Sequence, residues 1–100
     1  MPDYRFSPKA IADLEDIYAA GLEQFGAAQA DRYQHELHGC FQLLAEFPGI
    51  AGRPLTAFTP SVFRFPFGSH VILFTADGSG VVIVRVFHAR MDWLRLFEGE

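Results

Sequence analysis

The chain has 100 residues, half of them apolar and only 20% charged, the length of one domain, which is expected to span residues 1–100. Its net charge of −4 lacks the clustered basic footprint of a general nucleic-acid binder, so no direct sequence-specific nucleic-acid binding is expected. No run of about 18 apolar residues is present to span a membrane.

A domain this short buries only about two-thirds of its extended-chain surface. With eleven phenylalanines and a mean hydropathy of +0.13, some apolar surface is expected to stay exposed. Such patches usually serve a partner. The opening MPDYRFSPKAIADLED lacks a basic segment followed by an apolar one, so no signal peptide is expected. One cysteine cannot form an internal disulfide, which makes the cytoplasm the expected compartment. Charge is unevenly spread. Residues 1–50 hold three basic and eight acidic side chains, and residues 51–100 hold five arginines and four acids.

In chain order, DYRF (3–6) is a short strand candidate. SPKA then opens a helix, with Ser7 as N-cap and Pro8 at the first helical position. Ile11, Leu14, Tyr18, Leu22 and Phe25 recur at helical spacing, and Gly26 suits the stop. Asp13, Asp16 and Glu23 are expected on the solvated side. A second helix is expected from about Ala27 to Glu46, with Ala30, Tyr33, Leu37, Phe41 and Leu44 as its stripe and Cys40 beside it. The two helices are joined almost directly, which predicts an antiparallel hairpin.

GIAGRPLTAFTPS (49–61) reads as a loop. In VFRFPF (62–67) strand alternation places Phe63, Phe65 and Phe67 opposite Val62 and Arg64, and Pro66 demotes the strand to an edge. HVILFT (70–75) and VVIVRVF (81–87) are apolar strands joined by ADGSG, an Asp-Gly hairpin signal. RMDWLRLF (90–97) is a final helical turn or two. The order predicts an α+β layer: an N-terminal strand, a helix hairpin on one face of a mainly antiparallel sheet, and a short C-terminal helix. Alternation puts Val82, Val84 and Val86 on one face of the last strand and Val81, Ile83, Arg85 and Phe87 on the other. The hairpin covers one face, so the other is the expected exposed patch.

His88 ends the last strand near Arg64, Arg85 and Arg90 in sequence or expected space. A general acid or base with arginines steadying a phosphate would be a ribonuclease constellation. A strand-end histidine held by a hydrogen bond is the plainer reading. His70 is expected to close the turn before its strand. His35 and His38, three apart on the second helix, have no third ligand at metal spacing, and neither metal nor cofactor is expected. Cys40 beside an apolar stripe reads as a buried small hydrophobe rather than a nucleophile. Arg85 inside an apolar strand must be paired, either by an acid of this chain or by an acid of another.

Five segments, in order, resemble one family: YRFSPKAIADLEDIY, FGAAQADRYQHEL, LLAEFPGIAGRPL, FRFPFGSHVILF and VVIVRVFHARMDW. Together they resemble the ParE branch of the RelE/ParE toxins of bacterial type II toxin–antitoxin systems over almost the whole length. The resemblance implies a helix hairpin on an antiparallel sheet and a cognate ParD-like antitoxin. It also implies DNA gyrase as the target, bound without catalysis. Arg64, Arg85 and Arg90, with Phe63 and Phe65, are the expected antitoxin contacts, and Met91, Asp92 and Trp93 the expected target contacts. The related RelE branch cuts messenger RNA. A YoeB-like ribonuclease using His88 with Arg64 and Arg85 is therefore the alternative, and a scaffold that only binds its antitoxin is a further one. The acidic pI of about 5.5, Arg53 as the only base in residues 48–62, and the lack of a tyrosine after His88 favour the ParE branch.

Overall fold

The computed structural model describes residues 3–55 and 58–100. Met1 and Pro2, and Thr56 and Ala57 within the expected 49–61 loop, lie outside the described residues. The first element, β1 (Asp3–Phe6), hands over to α1 (Pro8–Phe25) through one residue. Ser7 Oγ accepts the Ala10 N–H at 3.0 Å, capping the helix, and donates to the Val84 carbonyl at 2.7 Å. One hydroxyl thus starts the helix and ties it to the sheet. Gly26, at φ +85°, ends α1 and begins α2 (Ala27–Glu46).

A 3-10 turn follows at Pro48–Ala51, then β2 (Phe63–Phe67), β3 (His70–Asp77), β4 (Gly80–His88) and α3 (Trp93–Glu98). The sheet order is β1-β4-β3-β2. Only the β1–β4 pairing is parallel, and β2 with Pro66 lies at an edge as expected. In the β3–β4 turn, the Asp77 carboxylate accepts the Ser79 N–H at 2.8 Å and its hydroxyl at 2.7 Å. Gly80 follows at φ +137°, where a Cβ would sit 1.8 Å from the Asp3 carbonyl oxygen, so only glycine lets β1 dock there.

The α2 stripe packs as its spacing predicts: Ala30, Leu37, Phe41 and Leu44 are buried, with Cys40 beside them. Leu37, Phe41 and Leu44 each contribute about 1.5–3 kcal/mol by leaving water. The α1 stripe differs from the expected one. Ala10, Leu14 and Ile17 face the core, and Gly21 lies against α2, where an added Cβ would sit 3.3 Å from the Ala30 Cβ. Ile11, Leu22 and Phe25 are exposed instead. The small residues Ala10 and Gly21 let α1 lie close to its neighbours, and packing at that distance turns the bulkier residues outward.

The last strand corrects a second expectation. Leu73 pairs with Arg85 but Phe74 pairs with Ile83, leaving Val84 as the extra residue of a β-bulge. The bulge resets the alternation. Val81, Ile83 and Val86 pack under the helix hairpin, whereas Val84 and Phe87 face the other side.

That other side is not the exposed patch. After β4 the chain turns back, and Trp93 and Phe97, one helical turn apart on α3, pack with Leu55 and Phe58 over Val62, Val71, Leu73 and Phe87. The remaining large exposed apolar residues lie elsewhere, notably Ile11, Leu22 and Phe25 on α1. No helix among the described residues is long and apolar enough to cross a membrane.

Candidate functional site

Beyond Ile83, β4 has no strand on its β1 side, because β1 ends at Phe6. Residues 85, 87 and 89 direct their backbone toward β3, as the Ala89 N–H to Ser69 carbonyl bond and the register show. Residues 86 and 88 therefore direct theirs toward the open edge. α1 supplies the first partner there. The Asp13 carboxylate accepts the Val86 N–H at 2.9 Å and takes the Arg85 guanidinium in a two-pronged pair at 2.7 and 2.8 Å. Glu100 closes on the same guanidinium and on Lys9 at 3.3 Å. Arg85 also stacks on the Phe87 ring, 4.3 Å from its centroid. The Asp13 bond holds the Arg85 proton even more firmly than usual, against the opposing effect of burial.

Thus Asp13, expected on the solvated side, is half-buried, and an acid of this chain pairs Arg85. Arg85 stacks on Phe87 and still reaches α1, a pairing 72 residues distant that no local spacing reveals.

Past Asp13 the edge opens into a cleft of about 970 Å³ between the hairpin, the end of β4 and the C-terminal segment. His70 and His88 are cross-strand neighbours in it, their rings edge to face with centroids 5.2 Å apart. His88 Nδ1 accepts the Arg90 N–H at 3.1 Å, which places the neutral ring's proton on Nε2. His70 Nδ1 lies 2.6 Å from the Tyr33 hydroxyl, which also receives the Ser69 N–H at 3.3 Å. Burial, and then the proximity of His88, push the His70 pKa down, and the single Tyr33 hydroxyl proton lies within reach of both His70 Nδ1 and the Phe67 carbonyl at 3.3 Å. Gly68, at φ +55°, allows this approach: a Cβ there would lie 2.7 Å from the Tyr33 oxygen.

The expected site residues do not converge. Arg64 is exposed on the α3 side of the sheet, with its guanidinium 6.0 Å from the Trp93 ring centroid. His88 opens on the helix side. Phe63 and Phe65 are half-buried against the hairpin-covered core, with Phe63 stacked on Phe74 at 5.6 Å, and so lie opposite Arg64. Arg90, Met91 and Asp92 are exposed, and Trp93 is half-buried. The ribonuclease set of His88, Arg64 and Arg85 is thereby divided: Arg64 is on the other face, and Arg85 is held by two acids.

Cys40 is buried, and burial raises its thiol pKa to about 11, which removes it as a nucleophile. His38 Nδ1 is 3.3 Å from the Tyr4 hydroxyl and its ring packs on Phe6 and Phe41. No group of three or more His, Cys, Asp or Glu positioned to hold a metal occurs among the described residues. The residues missed in the sequence are Asp13, Tyr33 and His70. Their only signal was position: an acid beside the α1 stripe, a tyrosine at the polar end of the α2 stripe, and a histidine after a Gly-Ser turn.

A helix hairpin on this sheet is also the fold of a solved chromosomal ParDE TA system from P. aeruginosa, at a TM-score of 0.68 and 20% identity, over 88% of this chain and 96% of that one. The family described as "ParE toxin of type II toxin-antitoxin system, parDE" matches residues 4–93, and the chain belongs to it. It is 37% identical to Toxin ParE1 of Caulobacter vibrioides, over 92% of this chain and 94% of that protein. It is 36% identical to Toxin ParE1 of Mycobacterium tuberculosis, over 89% and 91%. The resemblance carried by the five sequence segments is borne out.

Proposed function

We propose that this ParE-family toxin acts in the cytoplasm by binding DNA gyrase, without chemistry of its own, and is neutralised by a cognate ParD-like antitoxin. The observation that carries this reading is the family match over residues 4–93. Two features of the molecule support it. The side chains a ribonuclease would need are split between the two faces of the sheet. The large exposed residues Ile11, Leu22 and Phe25 on α1 leave apolar surface of the kind a partner covers. Met91, Asp92 and Trp93 stay the proposed target contacts, with Met91 nearly half exposed. Of the proposed antitoxin contacts, Arg90 is the arginine at the cleft rim that is neither stacked nor paired among the described residues.

The test is to incubate the toxin with gyrase, ATP and plasmid, trap the reaction with detergent and protease, and look for linear DNA. Linear DNA that disappears on adding antitoxin is the expected result. Normal supercoiling by a protein that still arrests growth would move the reading to messenger RNA cleavage. Normal supercoiling with normal growth would leave only the scaffold role.

A further inference from the structure

The open edge of β4 carries the same arrangement twice. At its first step a carboxylate, Asp13, takes an outward backbone N–H (Val86) together with an adjacent cation (Arg85). At its second step, two residues along, His88 turns its N–H to the same edge, beside Arg90. Among the described residues no acid pairs with His88 or Arg90. Both imidazoles have their Nδ1 in use, His70 beside the Tyr33 hydroxyl and His88 on the Arg90 N–H, which puts the His88 proton on Nε2. The His88 ring is therefore a donor, and the two rings line one cleft side by side.

We propose that His70, His88 and Arg90 form an oxyanion site at the second step of this edge, and that its occupant is an acidic side chain of the antitoxin. The choice of a carboxylate follows from the first step, where this edge already holds one. The antitoxin as its source rests on the reading given under Proposed function. Of the other charges around the pair, the acids are held by cations except Asp16, which opposes an incoming anion from the rim. On α1, Asp13 is taken by Arg85, and Asp16 is exposed at the rim. On α2 the facing group is the Tyr33 hydroxyl. Glu100 of the C-terminal segment is held by Arg85 and Lys9. The site joins the histidine pair to Arg90 of the expected antitoxin contacts, while Arg85 is already paired within the chain.

The first test uses the free toxin. Its histidine rings are followed by long-range 1H–15N spectra while acetate, and separately inorganic phosphate, is added at constant ionic strength. His70 and His88 should shift saturably and together, and their protonation should move to higher pH, because a bound anion favours the charged ring. His35 and His38, on α2, serve as internal references. No saturable shift, or equal shifts in all four rings, overturns the site. Saturation by phosphate but not by acetate overturns the carboxylate assignment.

The second test measures antitoxin affinity. Arg90→Ala, an exposed position, and His88→Ala should each weaken binding about tenfold, with Arg53→Ala in the exposed loop unchanged. Amide spectra confirm the fold of each variant. Unchanged affinity for both variants overturns the antitoxin as occupant. If the unaltered toxin does not bind antitoxin at all, the antitoxin reading fails, and the acetate titration alone decides the anion site.

Discussion

Asp13 on α1 and Arg85 on β4, 72 residues apart in the chain, form a two-pronged pair that also takes the Val86 N–H, so one carboxylate closes the sheet edge where β1 stops. The side chains are only 13% and 17% exposed, so the pair is little screened by water. Removing one partner leaves a charge and a backbone donor unmet. Asp13→Ala should cost about 2–3 kcal/mol, toward the low end of what breaking a buried pair costs because Glu100 remains beside Arg85. Urea unfolding measures it. Arg85→Met in the Asp13→Ala background should recover part of the loss, and a double-mutant cycle showing no coupling would refute the account.

The state of His70 makes stability depend on pH in a defined direction. Its folded pKa lies below the ordinary value because burial, and then His88, disfavour the charged ring. The unfolded chain therefore binds the proton first as pH falls. The contribution is full above about 6.5, the unperturbed histidine value, and is lost as pH drops from there toward the lower folded value. Unfolding curves between pH 8 and pH 5 should show this loss, and His70→Gln should flatten it within that window.

Gly80 is the position where β1 is most easily lost. A Cβ there meets the Asp3 carbonyl oxygen at 1.8 Å, on a backbone with φ +137° that other residues rarely adopt. Gly80→Ala should destabilise by about 2–4 kcal/mol. Hydrogen exchange should speed first at Tyr4 to Phe6, the residues paired with β4. Protection equal to that of the unaltered chain would contradict the assigned contact.

Trp93 is the sole tryptophan and reports on the second layer. It packs with Phe58 and Phe97 over Val62 and Phe87. Phe97→Ala should cost about 2–3 kcal/mol, below the range for a fully buried Phe because Phe97 is half-buried. It should also shift Trp93 emission to longer wavelength while amides of the hairpin stay protected. Unchanged emission would mean that α3 does not depend on this contact.

Cys40 should be inert. Buried and with its pKa near 11, it should react with a thiol reagent at neutral pH only when the protein opens. Its labelling rate should track urea concentration through the unfolding transition. Fast labelling in the native state would place it at the surface.

Local chemistry made most of the elements legible. Ser7-Pro8 set the start of α1, Gly26 its end, and ADGSG the hairpin, because caps and turns depend on residues a few positions apart. The α2 stripe was legible for the same reason. What the sequence by itself determined is therefore the element order, the α+β layering, and the family carried by its five segments. The tertiary structure alone decided three things. The bulge at Val84 reversed the face of Val86, because pairing register is set by two strands and not by one. The return of α3 covered the second face, because Trp93 and Phe97 find Leu55 and Phe58 only once the sheet exists. The meeting of Asp13 with Arg85, and of Tyr33 with His70, joins residues 72 and 37 positions apart. No local pattern encodes such distances, since the free energy that holds them comes from burial and charge pairing available only in the folded chain.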